Sequence, residues 1–208
     1  GKLPEMLDRA DIIRSEVRHN LGVTDSNFLV TVGFGGDPAE RAVAQLDALT
    51  AHFQGYGVAT FAWRFHPKHS QKDMLWGKAI SCGEPYVDAR KYEMDELNLA
   101  SDMIVANWGN TDPYKALFAG IPVVTMLFPD DTEVRMAAGY PEGMPPICMT
   151  NPAWGVHSVK EVSDLLGDIF DARAEVAEYT RTVRAKPFLP LLEPGAAERI
   201  AAAVKEYL

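Results

Sequence analysis

Cysteine is nearly absent from this chain: Cys82 and Cys148 are the only two in 208 residues. Two thiols cannot make a disulfide scaffold, and their wide separation excludes a local metal knuckle. Both read as free thiols, with a reducing compartment as the expected setting. Long apolar runs are missing too. No stretch approaches the roughly 20 residues of a membrane span. The opening GKLPEMLDRADIIRSEV lacks the apolar core and cleavage site of a secretory leader. The cytoplasm is therefore the expected location.

Positive charge is in short supply. The chain has 20 Lys and Arg against 29 Asp and Glu, a formal net charge of −9. No basic stripe forms, and such a surface repels nucleic acid and anionic membranes. It leaves room for a local basic pocket that takes a small anion. Clustered Cys/His spacings, a Gly-x-Ser-x-Gly elbow and a nucleophilic triad are all lacking, as are internal repeats and low-complexity tracts.

What is present is a core-forming composition, 47% hydrophobic and 24% charged, and an alternation of strand and helix patterns. Residues Leu7 to Asn20 read as a helix with Ile12, Ile13 and Val17 on one side and Gly22 as its stop. NFLVTVGFGG is a strand ending in glycine. DPAERAVAQLDALTAHF is a helix with Pro38 in its first turn and an apolar stripe of Ala42, Leu46 and Leu49. GVATFAWRF is a second strand, HSQKDMLWGKAI an ambiguous stretch or short helix, and EPYVDA a brief strand. EMDELNLA is helical, DMIVANW a strong strand, DPYKALFAG a helix stopped by Gly120, and IPVVTML a strand. Residues 128–146 read as loop with a short helix near Glu133 to Ala138. PPICMT reads as a marginal strand. Ser158 and Glu161 predict a reciprocal cap on a helix from Val159 to Ile169. DARAEVAEYTRTVRA and PGAAERIAAAVKEYL complete the helices. Met126, Met136, Met144 and Met149 read as core or loop-lining residues.

The strands are continuous apolar runs rather than alternating ones. That pattern predicts an α/β fold, a Rossmann-like parallel sheet with helices on both faces. Residues 1–22 form a helical lead or connector, and residues 23–208 one ligand-binding domain.

In such a sheet ligands bind beyond the C-terminal strand ends. Four places qualify. The first is Gly33-Phe34-Gly35-Gly36, where glycines admit close approach of a ligand to the backbone, or merely make a tight turn. It is neither a full dinucleotide fingerprint nor a P-loop. The second is Arg64-Phe65-His66-Pro67, where a guanidinium and an imidazole face a phosphate, or lie in solvent. The third is Asn107-Trp108-Gly109-Asn110-Thr111-Asp112, between strand and helix. Its amides and side chains suit an anion, or simply cap the helix. Trp108 either packs or stacks, and Lys115 adds charge to a ligand or sits in solvent. The fourth is Pro129-Asp130-Asp131-Thr132, where paired acids suggest sugar hydroxyls, a metal, or a cap. Adjacent acids point apart in most backbones, so no metal is expected there. Arg135 is placed to answer them.

The segments DRADIIRSEVRHNLGVTDSNFLVTVGFGG, LASDMIVANWGNTDPYKALFAGIPVV and PGAAERIAAAV together resemble the C-terminal, donor-binding domain of GT-B glycosyltransferases, which is one half of that two-domain fold. The resemblance spans nearly the whole chain at pattern level, and the 101–124 segment is its most specific part. It implies that Gly35 and Gly36 lie near the donor phosphates. It likewise implies that Gly109, Asn110 and Thr111 hold the diphosphate, helped by Arg64 and His66. Asn107, Asp112, Lys115, Asp130 and Asp131 would line the nucleotide or sugar. The donor, a nucleoside-diphosphate sugar, would be substrate; no cofactor and no metal are implied. Many members carry Glu where this chain has Lys115, so Asp112 or another acid would take the ribose hydroxyls. Related non-hydrolysing sugar-nucleotide epimerases share the architecture, and a non-enzymatic α/β interaction module is a further reading. The acceptor site and catalytic base of the class belong to an N-terminal domain. The chain is thus expected to be a binding half, inactive alone, with any membrane contact made through its missing partner.

Overall fold

The protein is described by a computed structural model that covers residues 3–34, 39–53, 57, 59–66, 72–81, 86–108, 113–149 and 153–186. In chain order the helices are α1 (Leu3–Asp8), α2 (Ala10–Leu21), α3 (Ala39–Phe53), α4 (Lys72–Ser81) and α5 (Met94–Ala100). They continue as α6 (Pro113–Phe118), α7 (Thr132–Ala137), α8 (Pro146–Met149), α9 (Val159–Asp171) and α10 (Arg173–Tyr179). The strands are β1 (Phe28–Phe34), β2 (Ala59–Phe65), β3 (Tyr86–Val87), β4 (Met103–Asn107), β5 (Val123–Met126) and β6 (Trp154–Val156). They form one sheet in the order β3-β2-β1-β4-β5-β6, and every pairing is parallel. This is the Rossmann strand order.

Period-two alternation sorts the strand side chains onto two faces. Phe28, Val30, Val32 and Phe34 of β1, with Phe61, Trp63 and Phe65 of β2, join Leu46 and Leu49 of α3 and Val162 and Leu166 of α9 in one apolar layer. On the other face, Leu29 and Ala62 meet Val17 of α2 and Leu97 of α5. Ile104, Ala106 and Val123 meet Ala116 and Leu117 of α6. Both faces are covered, which is why all seven β1 residues are buried and the strand shows no polar alternation. Its one hydroxyl is satisfied: Ser101 Oγ donates to Leu97 O at 2.7 Å, so Thr31 Oγ1 donates to Ser101 Oγ at 2.7 Å.

The glycine stops act as expected. Gly22 and Gly120 take φ of 72° and 77°, the left-handed region that ends a helix cheaply only for glycine. A Cβ on Gly120 would also lie 3.0 Å from Ala177 O, where α10 packs. Ser158 caps α9 by accepting from Glu161 N at 3.2 Å, while the Glu161 carboxylate takes the Ser158 hydroxyl and the amide of His157. Four expectations need correction. PPICMT is not a strand: residues 146–149 turn as α8, with Cys148 N and Met149 N bonded to Pro145 O. β6 was not foreseen, because it has three residues with Gly155 at its centre, where a Cβ would lie 2.7 Å from Leu127 Cδ1. Met136 and Met149, expected to fill the core or line a loop, are exposed on α7 and α8. Ile12 is exposed as well, whereas Val17 and Arg18 of the same helix are buried, Arg18 being 2% exposed. The closing helix expected from PGAAERIAAAVKEYL lies outside the described residues.

Arg18 is buried because a carboxylate meets it. Its Nη1 donates to Asp102 Oδ2 at 3.0 Å and to Ala100 O at 3.1 Å, and its Nη2 donates to Thr24 O and Asn27 O. Arg14 Nη2 holds the other carboxylate oxygen at 2.5 Å. Asp102 Oδ2 also accepts from Leu29 N at 2.8 Å, and Asp102 N donates to Leu29 O at 2.8 Å. One side chain therefore ties α2, β1 and the start of β4 together. Removing it strands a buried guanidinium. Asp102→Ala is expected to cost about 3–5 kcal/mol of unfolding free energy, measured by urea denaturation. A cost under about 1 kcal/mol would rank the pair with surface salt bridges.

Candidate functional site

The connection after β1 leads to α3, on the face of Phe28 and Val30, whereas the connection after β4 leads to α6, on the face of Ile104 and Ala106. β1 and β4 are neighbours in the sheet, with Gly33 paired to Ala106. Two adjacent strands thus send their chains to opposite faces, which opens a crevice between their C-terminal ends. Gly35 and Gly36 follow β1 in the chain, and Gly109, Asn110, Thr111 and Asp112 follow β4. These six residues lie outside the described ones. The strand ends that deliver them, Phe34 and Trp108, are described.

Around that crevice the remaining expected residues take distinct positions. Asn107 ends β4 and is 1% exposed. Trp108 packs edge-to-face against Tyr140, with centroids 5.6 Å apart. His66 follows β2, exposed, and its amide donates to Phe34 O at 3.1 Å, which holds it beside the β1 end. Lys115 makes an ion pair with Asp95 of α5 at 2.7 Å, and so bridges two helices. Asp130 is exposed while Asp131 is 2% exposed, 3.4 Å from Gln45 Nε2. The two acids are therefore differently placed. Arg135 is buried and donates to Gly143 O, Phe128 O and Thr132 Oγ1, closing the 128–144 segment on itself. Among the described residues, no group of three or more His, Cys, Asp or Glu stands ready to hold a metal.

Two features escaped sequence reasoning. His157, just past β6, brings Nδ1 within 3.0 Å of Leu127 O. A carbonyl only accepts, so Nδ1 carries the hydrogen and Nε2 is the basic nitrogen of the neutral ring. It was missed because β6 itself was missed. The second feature is a cleft of about 440 Å³ at the β2–β3 edge, lined by Arg64, Phe65, Asp73, Trp76, Ile80 and Arg90. Arg64 lies here, half-buried, with Nη1 3.4 Å from Arg90 O. Arg90 grips Asp88 through Nε at 2.9 Å and Nη2 at 2.5 Å, and its guanidinium stands 5.9 Å from the Trp76 ring centre. The HSQKDMLWGKAI pattern was too ambiguous to single out Trp76. Nothing in the local sequence around Arg90 indicated that the fold would turn it toward α4.

Half-buried Cys148 makes no disulfide among the described residues, and its partial burial pushes the thiol up above the ordinary range. No helix among the described residues is long and apolar enough to cross a membrane.

No protein-family model matches this chain, and no curated protein matches it. Solved structures do. The wall teichoic acid polymerase TagF superposes with a TM-score of 0.63 at 15% identity, over 95% of this chain and 47% of TagF. The C-terminal CMP-Kdo binding domain of WaaA from Acinetobacter baumannii gives 0.57 at 12% identity, over 89% of this chain and 98% of that one. The C-terminal domain of LpcC, a glycosyl transferase group 1 family protein from Francisella tularensis, gives 0.51 at 13% identity, over 81% and 89%. The chain has the fold of the C-terminal domain of GT-B glycosyltransferases. It spans about half the length of TagF.

The Asp88–Arg90 fork yields a pH prediction. The Arg90 hydrogen bond holds the Asp88 carboxyl below the ordinary aspartate range, and the same bond raises Arg90. A depressed carboxyl contributes its interaction above the unfolded-state pKa and loses it as pH falls through the lower folded value. The fork is therefore intact at neutral pH and opens only in acid. An NMR titration of the Asp88 carboxyl is expected to show a midpoint below the ordinary range, returning to it in Arg90→Met.

Proposed function

We propose that the chain is the donor-binding domain of a metal-independent glycosyltransferase that uses a nucleoside-diphosphate sugar. The observation that carries this reading is the crevice between β1 and β4, whose strands the chain follows with the glycine-bearing polar stretches at residues 35–36 and 109–112. The diphosphate is held there by backbone amides of the 109–112 turn and by Asn110 and Thr111, with Gly35 and Gly36 allowing close approach from the β1 side. α6 has only six residues, so its macrodipole is small. The weight falls on the turn's own amides and hydroxyl. These donors stabilise charge that grows on the diphosphate as the glycosidic bond breaks, which is the task a metal performs elsewhere. His66, exposed next to the β1 end, adds a further donor. The ribose hydroxyls fall to Asp112 or to Asp95, the acid that the fold sets beside Lys115. Asn107, Asp130 and Asp131 border the sugar side.

The acceptor and the catalytic base belong to a partner domain, and the chain alone turns over little. The segment after β5 carries three exposed apolar side chains, Val134, Met136 and Met149, which a partner surface would cover. The same exposure is what favours the second reading, an interaction module without catalysis. The domains of TagF, WaaA and LpcC support the first.

Calorimetric titration with UDP, GDP, ADP and CDP separates the two. At least one of the four is expected to bind, with unchanged affinity in EDTA. Thr111→Ala and His66→Ala are expected to weaken it about tenfold, the worth of a hydrogen bond to a charged group. No binding of any nucleotide would overturn the donor reading.

A further inference from the structure

Resting on the donor-domain reading, we infer that Tyr140 is a positioning residue for the diphosphate site, acting through Trp108 from a segment that Arg135 holds in shape. Trp108 and Pro113, the first residue of α6, are the described residues on either side of 109–112. Tyr140 lies near both sides of that stretch. Its ring packs edge-to-face on Trp108, with centroids 5.6 Å apart and planes at 84°. On α6, burial, then Cys148, then Tyr140 push the Tyr114 phenol above the ordinary range, which sets Tyr140 close to that helix as well. The Trp108 indole Nε1–H is buried and finds no acceptor among the described residues. No hydrogen bond therefore orients the indole there, and ring packing has to do so. Donors hold an anion best when they are in place before it arrives.

The segment that carries Tyr140 is held from several directions. Arg135, 3% exposed, donates through Nε to Gly143 O at 2.6 Å, through Nη1 to Phe128 O at 3.0 Å and through Nη2 to Thr132 Oγ1 at 3.1 Å. The Tyr140 amide donates to Arg135 O at 3.1 Å, and Tyr140 O accepts from Gly143 N at 3.0 Å. Arg135 thus fixes the backbone before and after Tyr140. Gly143 takes a φ of 70°, and a Cβ there would lie 3.2 Å from Thr132 O. Glu142 takes a φ of 52°, the one non-glycine residue in the left-handed region among the described residues. Such a conformation persists only where its surroundings impose it. The far end of the segment is anchored too, because Ile147 and Cys148 of α8 pack with Ala106 of β4 and Ala116 of α6. The segment is therefore fastened to the two elements that residues 109–112 join, and Tyr140 is its contact with the residue next to them.

The experiment titrates UDP, CDP, GDP, ADP and inorganic pyrophosphate into the wild-type chain, Tyr140→Leu and Tyr140→Phe, with thermal melts of all three. Pyrophosphate reads the diphosphate site without base or sugar. Tyr140→Leu is expected to weaken pyrophosphate and the preferred nucleotide by the same factor, about tenfold, the scale of ordering one or two side chains on binding. Tyr140→Phe keeps the ring and is expected to restore both affinities. A second readout uses the wild-type chain: the Trp108 indole N–H resonance, assigned with Trp108→Phe, is expected to shift when the preferred nucleotide binds. Unchanged affinities in Tyr140→Leu overturn the inference while leaving the donor reading standing. Loss for the nucleotide alone overturns it too, since Tyr140 would then touch the base or the sugar. So does an equal loss in Tyr140→Phe, which would put the hydroxyl rather than the ring to work. Should Tyr140→Leu fail to fold, an indole resonance that stays still on binding overturns it. A wild-type chain that binds no nucleotide removes the donor reading on which the inference rests.

Discussion

The carboxylate of Asp102 organises this molecule. It is buried at the start of β4, faces Arg14 and Arg18 from α2, and accepts the amide of Leu29 at the start of β1. Isolated, such a charge would be intolerable in the core; surrounded by two guanidiniums and a backbone donor it is satisfied. Its main-chain amide also donates to Leu29 O. Together these bonds pin the register of β1 against β4 at the sheet's N-terminal end. The crevice at the opposite end exists only because those two strands are neighbours. A contact remote from the site therefore determines its shape.

That arrangement divides labour between the two ends of the sheet. Most arginines are consumed by structure: Arg18 at the lower end by Asp102 and three carbonyls, and Arg135, past the end of β5, by the loop it closes. Arg184, in a one-turn π-helical segment, is spent on the Trp154 ring 3.6 Å away. At the upper end, Arg64 makes no ion pair among the described residues. In a chain of net charge −9, attraction for an anion cannot come from the overall field. The proposed anion site would rest on a few cations placed at strand ends and on oriented amides, both short-ranged and local.

Much of the fold was legible because its strands are buried on both sides. FLVTVGF and MIVAN have no polar face to disguise them, and Gly22 and Gly120 stop helices where glycine's left-handed backbone is required. Short or irregular elements were not legible. Trp154-Gly155-Val156 carries little strand signal of its own and becomes a strand through pairing with β5. Pro146 to Met149 is apolar enough to read as extended, yet its amides find Pro145 O and it coils. For the site, the strand-end residues were visible as polar interruptions after apolar runs. Arg90, Asp88 and Trp76 were not, because each is an ordinary surface residue until the chain brings β3 alongside α4.

The amino-acid sequence by itself determined the layer plan: apolar runs make a doubly covered parallel sheet, and glycine-bearing polar stretches follow its first and fourth strands in the chain. Only the tertiary structure decided which strands became neighbours, and so where the crevice opens. It also decided which cations pair with carboxylates among the described residues. The reason is that periodicity and propensity act over a few residues. The pairing of Asp102 with Arg14 and Arg18, of Lys115 with Asp95, and of Arg64 with the Arg90 backbone joins residues far apart in the chain, and no local pattern encodes them.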